Sequence, residues 1–187
     1  MPKNGSILPP PFSLLRSPSS VLPLFIRADA TTEIGTGHIM RCIALAQAWQ
    51  AHGGEVTFLS HCQSTALRER IIEEGFSFIS IDHPHPHPDD LSQTINYVQH
   101  LSPFPFPLSH AWLVLDGYHF TPDYQKAIRD AGIHLLVIDD MNHLPHYHAD
   151  ILLNYIWTPL GIRILYMRKR KRPIAFKNFC LLCSERL

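Results

Sequence analysis

The sequence predicts an α/β chain, a Rossmann-like parallel sheet with helices on both faces. Three observations carry this. Short apolar runs alternate along the chain with segments of helical spacing. Most of those runs are continuous, as in strands buried on both faces. Polar clusters stand at their carboxyl ends, at 27–29, 116–118 and 139–140, where open parallel sheets hold ligands.

Residues 22–28 form an apolar run that reads as a buried strand, with Pro23 tolerated near its start. A turn over 30–37 leads into a helix over 38–52, in which Ile39, Cys42, Ile43 and Ala46 recur at helical spacing and Gly53-Gly54 stops the pattern. Residues 56–60 are the next strand. Residues 65–74 are a helix with Glu69, Arg70, Glu73 and Glu74 on its polar side, ended by Gly75. The aromatic and β-branched content of 76–81 gives a third strand. The alternating His and Pro of 83–88 read as an exposed loop, and 89–101 as a helix capped by Asp89 or Asp90. Residues 111–115 are a strand closed by Asp116-Gly117. Residues 122–131 are a helix with Thr121 as its cap and Pro122 at its first position. Strands over 134–138 and 149–153 complete the pattern, for about six strands and four or five helices. The period fails after Asn154.

The chain has 187 residues, 45% hydrophobic and 17% charged, which suits one globular domain plus appendages. That domain is placed at 21–156, between a disordered Pro/Ser-rich leader (1–20) and a basic, irregular tail (157–187). The net charge is zero, which gives no general argument for a nucleic-acid or membrane partner. The charge is unevenly spread. Residues 1–162 carry eight basic and fifteen acidic side chains, a net of −7, and the other eight basic residues lie beyond them. The basic run 168–172 reads as a solvated tail, and neither nucleic acid nor membrane is expected as a partner. Cys42, Cys62, Cys180 and Cys183 do not make a secreted disulfide framework. There is no run of 18 apolar residues, and Pro9, Pro10 and Pro11 interrupt any signal-peptide core. A cytoplasmic location is expected.

The first polar cluster, Arg27-Ala28-Asp29 with Ile34-Gly35-Thr36-Gly37-His38, is the most informative. Gly35 and Gly37 allow a tight turn and close backbone approach to a ligand. The helix beginning at Gly37 or His38 directs free N–H groups and its positive dipole end at the same space. Phosphate or an amide carbonyl suits such a site. A positive helix end favours the uncharged imidazole of His38, the form a general base on water requires. The alternative is a tight turn with a histidine that caps the helix. The cluster is neither G-x-G-x-x-G nor a Walker A loop, so dinucleotide and ATP binding lack support and no cofactor is expected. Asp116, Asp139 and Asp140 either cap the next helix and tie loops together, or orient His38 and hold a sugar hydroxyl. Asp29 either shapes the site or pairs with Arg27 or Arg41 to fix the loop. Tyr118 is a sugar platform or loop packing. Metal binding needs three or four converging ligands. The proline-locked His83, His85 and His87, the cluster His143, His146 and His148, and the pair Cys180 and Cys183 do not make that case. No metal is expected.

Four segments resemble, in order and spacing, one family. They are residues 27–46 (Arg-Ala-Asp-Ala-Thr-Thr-Glu-Ile-Gly-Thr-Gly-His-Ile-Met-Arg-Cys-Ile-Ala-Leu-Ala), 113–118 (Leu-Val-Leu-Asp-Gly-Tyr), 135–141 (Leu-Leu-Val-Ile-Asp-Asp-Met) and 148–154 (His-Ala-Asp-Ile-Leu-Leu-Asn). The family is the UDP-2,4-diacetamido-2,4,6-trideoxy-β-L-altropyranose hydrolases of pseudaminic acid biosynthesis, with their spore-coat polysaccharide relatives. The resemblance covers about residues 22 to 156. It implies the N-terminal domain of a two-domain, MurG-like GT-B fold and metal-independent hydrolysis at the anomeric carbon of a UDP-sugar. It implies His38 as general base, with Asp29, Gly35, Gly37 and Arg41 shaping the site. Asp116, Tyr118 and Asp139 would line the cleft and bind substrate.

In such enzymes a C-terminal domain holds the UDP. Nothing after residue 156 resembles it, so a truncated or frameshifted product with little activity of its own is expected. Losing the nucleotide anchor removes positioning effects of about 7–11 kcal/mol. The competing readings are a glycosyltransferase, in which a sugar hydroxyl replaces water, and a non-catalytic half-domain that needs a separate chain to supply the second domain.

Overall fold

The computed structural model describes residues 23–102, 111–158 and 161–165, with side chains as far as Asn154. The expected leader, the basic run 168–172 and Cys180/Cys183 lie outside the described residues.

The chain runs β1 (Pro23–Ala28), α1 (Gly37–Ala51), β2 (Glu55–Ser60), α2 (Thr65–Glu73), β3 (Ser77–Ser80), α3 (Asp90–Leu101), β4 (Trp112–Asp116), α4 (Pro122–Asp130), β5 (His134–Ile138), β6 (Ile151–Thr158) and β7 (Gly161–Leu165). The strands form one sheet in the order β3-β2-β1-β4-β5-β6-β7. β1 to β6 pair in parallel, and β7 joins β6 antiparallel. The expected Rossmann-like parallel sheet is therefore present.

Strand alternation sends successive side chains to opposite faces. Leu24, Ile26, Val56, Phe58 and Val114 pack with Ile39, Ile43 and Ala46 of α1 and Leu67 and Ile71 of α2. Phe25, Leu59, Leu113, Leu115, Leu135 and Val137 pack with Val98 of α3 and Tyr124 and Ile128 of α4. Helices thus cover both faces, and the core strands show no polar side. β1 and β4 are neighbours, yet the chain leaves β1 toward β2 and leaves β4 toward β5. Such a reversal of strand order opens a crevice at the carboxyl edge.

Local signals explain most boundaries. Thr121 accepts the N–H of Tyr124 (3.3 Å) and Pro122 opens α4. Ser64 caps α2 through the N–H of Leu67 (3.3 Å). Gly75 ends α2 with φ of 87°. Two readings need correction. β3 is only four residues long. Residues 154–158 pair antiparallel with 161–165, where an irregular tail was expected from 157. Ile156, Trp157, Ile162 and Ile164 have high β propensity, and here propensity prevails without a clean period. Finally, Asp89 holds the N-cap position of α3 without a side-chain cap, and Asp90 turns inward.

Asp90 turns inward because Arg27 is fully buried on the α3–α4 face. The guanidinium donates to Asp90 through Nε (2.9 Å) and Nη2 (2.6 Å), and grips both oxygens of Asp29. Tyr124 donates its hydroxyl to the second Asp90 oxygen (2.7 Å), and His85 Nδ1 lies 3.0 Å from that oxygen. Asp29 also accepts the backbone N–H of His61 (2.8 Å) and of His85 (2.9 Å). One arginine therefore ties the loops after β1, β2 and β3 to α3. His85 is part of this knot, its side chain only 9% exposed, while the loop is exposed at 83, 86 and 88 as expected.

Burial opposes ionisation of Asp90, but His85, Arg27 and Tyr124 together hold its carboxyl below the usual carboxylate range. Its contribution is therefore complete above the unfolded-state value of about 3.9 and is lost as pH falls through the lower folded value. Asp90→Ala leaves a buried guanidinium half-paired and should cost about 3–5 kcal/mol. Urea unfolding at pH 7 measures this, and the difference from wild type should shrink below about pH 3.9.

Candidate active site

Asp116 ends β4 in register with Ala28 of β1 and Ile138 of β5. It lies two residues after Val114, so its side chain points to the α1 face. His38 and Arg41, one helical turn apart, meet it there. His38 Nδ1 lies 2.7 Å from Asp116 Oδ1. The Arg41 guanidinium holds both Asp116 oxygens and reaches Asp140 Oδ2 at 3.2 Å. Tyr118 donates its hydroxyl to Asp140 Oδ1 (2.5 Å), and its ring stands edge-on to His38 at 5.1 Å and 74°. Cys42 places its thiol 3.4 Å from Asp116 Oδ2. Burial, then the neighbouring carboxylate, pushes that thiol well up, so Cys42 is packing and not a nucleophile.

A carboxylate paired with arginine only accepts hydrogen bonds. The proton in the 2.7 Å contact therefore sits on His38 Nδ1. Arg41 Nη2 also lies 2.9 Å from Nδ1. Two donors cannot bond each other, so both converge on Asp116 Oδ1. A neutral ring in this tautomer keeps its lone pair on Nε2, which meets no hydrogen-bond partner among the described residues. An aspartate on Nδ1 with Nε2 open is the arrangement that prepares a histidine to take a proton.

Around this pair, Thr36 begins α1 without a side-chain cap, and no acidic residue lies in the first turn. Gly35 has φ of 78°, and a Cβ added at Gly35 or Gly37 would meet nothing within 4 Å. The N–H groups of Gly37, His38 and Ile39 have no acceptor among the described residues, so the helix mouth is an open donor site.

Burial works against charge on Asp140, but Tyr118 and Arg41 hold its carboxyl below the usual range. Burial and Asp140 in turn raise the Tyr118 hydroxyl. A cleft of about 470 Å³ lies on the β2–β3 side of the same edge, lined among others by Thr31, Ile34, Gln63, His85, Pro86 and His119. His38 and Asp116 do not line it.

The structure thus gathers His38, Gly35, Gly37, Arg41, Asp116 and Tyr118 at one edge. Two expected site residues are spent on the fold. Asp29 is 2% exposed and bonded on both oxygens to Arg27 and to backbone N–H groups. Asp139 is 1% exposed and accepts from the N–H of Met141 (2.9 Å), Asn142 (2.9 Å) and His143 (3.3 Å), and from the Tyr147 hydroxyl. It is the adjacent Asp140 that faces the site. No three His, Cys, Asp or Glu converge as a metal site among the described residues. No helix among them is long and apolar enough to cross a membrane.

No family model matches the chain, and no curated protein matches it. Similar solved structures include a glycosyltransferase from Rickettsia africae ESF-5 (11% identity, TM-score 0.47, 63% of this chain and 29% of that one). MurG from Acinetobacter baumannii is similar at 14% identity and TM-score 0.49, over 71% of this chain and 41% of that one. The NAD(P)-binding domain of an exopolyphosphatase-related protein from Archaeoglobus fulgidus is similar at 17% identity and TM-score 0.41, over 65% and 75%. The chain spans less than half the length of the first two. The fold assignment comes from the strand order, not from these likenesses.

The two glycines should separate in mutants. Gly35→Ala forces a side chain into the left-handed region and should cost about 1–2 kcal/mol. Gly37→Ala has room and an ordinary φ, and should change stability by no more than about 0.5 kcal/mol. Thermal melts of the two variants check both values.

Proposed function

We propose that the chain provides the base-bearing half of an enzyme acting at the anomeric carbon of a nucleotide-activated sugar. The observation that carries this is the Asp116–His38 pair, bonded at Nδ1 with Nε2 open beside the glycine turn. In this reading Nε2 removes the proton of the attacking hydroxyl as it bonds the anomeric carbon, and the nucleoside diphosphate leaves with the electrons of the glycosidic C–O bond. Arg41 holds both Asp116 oxygens in place as His38 gains charge. Tyr118 offers a ring edge and Asp140 an acceptor beside the sugar. The free N–H groups of α1 suit an amide carbonyl or a phosphate oxygen.

The coarse reading is glycosyltransferase-like, with a sugar hydroxyl as nucleophile. The finer one, favoured by the four-motif resemblance, has water as nucleophile and the UDP-diacetamido-trideoxyaltrose as substrate. Either requires a nucleotide-binding half facing this one.

The test is titration of the protein with UDP-sugar, followed by amide NMR and by product analysis. The amides of Gly35, Gly37 and His38 should shift on binding. Any UDP release should fall about 10²–10⁴-fold in His38→Asn. Free sugar as product identifies water as the nucleophile, and a glycoside identifies transfer. Release that is unchanged in His38→Asn, or amides at 35–38 that ignore the ligand, would contradict the proposal.

A further inference from the structure

A second aspartate–histidine pair stands beside the first and is wired differently. His143 Nδ1 lies 2.8 Å from Asp139 Oδ2, and its Nε2 lies 2.7 Å from the carbonyl oxygen of Tyr118. Carboxylate and carbonyl face the two ring nitrogens, so the ring bridges them and neither nitrogen is directed at a ligand. Asp139 cannot move to serve a ligand, because three backbone N–H groups and Tyr147 hold it. What this pair does is grip the backbone of Tyr118.

Tyr118 needs a grip. It sits in the loop after β4, its residue is 41% exposed, and its ring stands edge-on to both His38 (5.1 Å) and His143 (5.6 Å). Its hydroxyl bonds Asp140, which is itself tied to Arg41. On the other side of the loop His85 repeats the device, with Nδ1 3.0 Å from Asp90 and Nε2 3.1 Å from the carbonyl of His119. Consecutive carbonyls are thus held from both sides by histidines backed by buried aspartates.

We propose that His143 is a positioning residue for His38. By fixing the Tyr118 carbonyl it sets the aromatic wall that keeps the His38 ring aligned on Asp116. The functional consequence rests on the reading of His38 as the base. The geometric claim does not, and it is measured without substrate.

The experiment is ¹H–¹³C correlation of the histidine rings in the full chain, for wild type, Tyr118→Leu, His143→Leu and His143→Gln. The His38 signals sense the ring current of Tyr118. His143→Leu should move them toward their Tyr118→Leu positions. His143→Gln, whose amide N–H can reach the same carbonyl, should hold them near wild type. His38 signals unmoved by His143→Leu, or displaced equally by Leu and Gln, overturn the proposal. If the Leu variant does not fold, Gln decides alone, since displaced His38 signals there also overturn it. Where turnover is measurable, His143→Leu should lower kcat by about 10²-fold with KM little changed, and Gln should restore most of it.

Discussion

The Asp116 carboxylate organises the site. It terminates β4 beside the end of β1, and it joins His38 and Arg41, residues from the helix after β1. Without that contact His38 is one more residue in an uncapped first turn. With it, the ring has a defined tautomer, a defined plane and one unoccupied nitrogen. The contact exists because β1 and β4 are neighbours from which the chain departs in opposite directions. Arg41 does more than add charge, since its fork occupies both carboxylate oxygens and leaves Asp116 little freedom to rotate.

The same strand edge carries a second polar network, and pleating keeps the two apart. Arg27 and Asp29 succeed Phe25 on the α3–α4 face, whereas Asp116 succeeds Val114 on the α1 face. The Arg27 network is saturated: every carboxylate oxygen in it is bonded, and it freezes three loops. The His38 network is left open at one nitrogen and at the helix mouth. A rigid frame behind an incompletely bonded cluster is the division that a preorganised site requires.

Much of this was legible in the sequence. Continuous apolar runs such as 113–115 and 135–138 pointed to a buried parallel sheet, and Pro122 and Gly75 marked helix ends. Gly35, Gly37 and His38 stood out because glycines before a helix leave N–H groups open. Partners across the fold were not legible. Asp90 reads as a helix cap until Arg27, 63 residues away, is brought beneath it. His85 reads as loop until the same knot draws it in. Asp139 and Asp140 are indistinguishable in sequence, yet one turns into its own backbone and the other toward Arg41. The antiparallel pair from Asn154 was missed because pairing at a sheet edge does not need a clean hydrophobic period. His143 carries no sequence signal beyond a crowd of histidines.

The central claim is that Asp116 holds His38 with its proton on Nδ1 and its lone pair on Nε2. Long-range ¹H–¹⁵N correlation on the unliganded protein reads this directly. The account predicts, for the neutral ring, a proton-bearing Nδ1 and an unprotonated Nε2, with the preference weakened in Asp116→Asn. A proton resident on Nε2, or a tautomer indifferent to the Asp116 substitution, would contradict it.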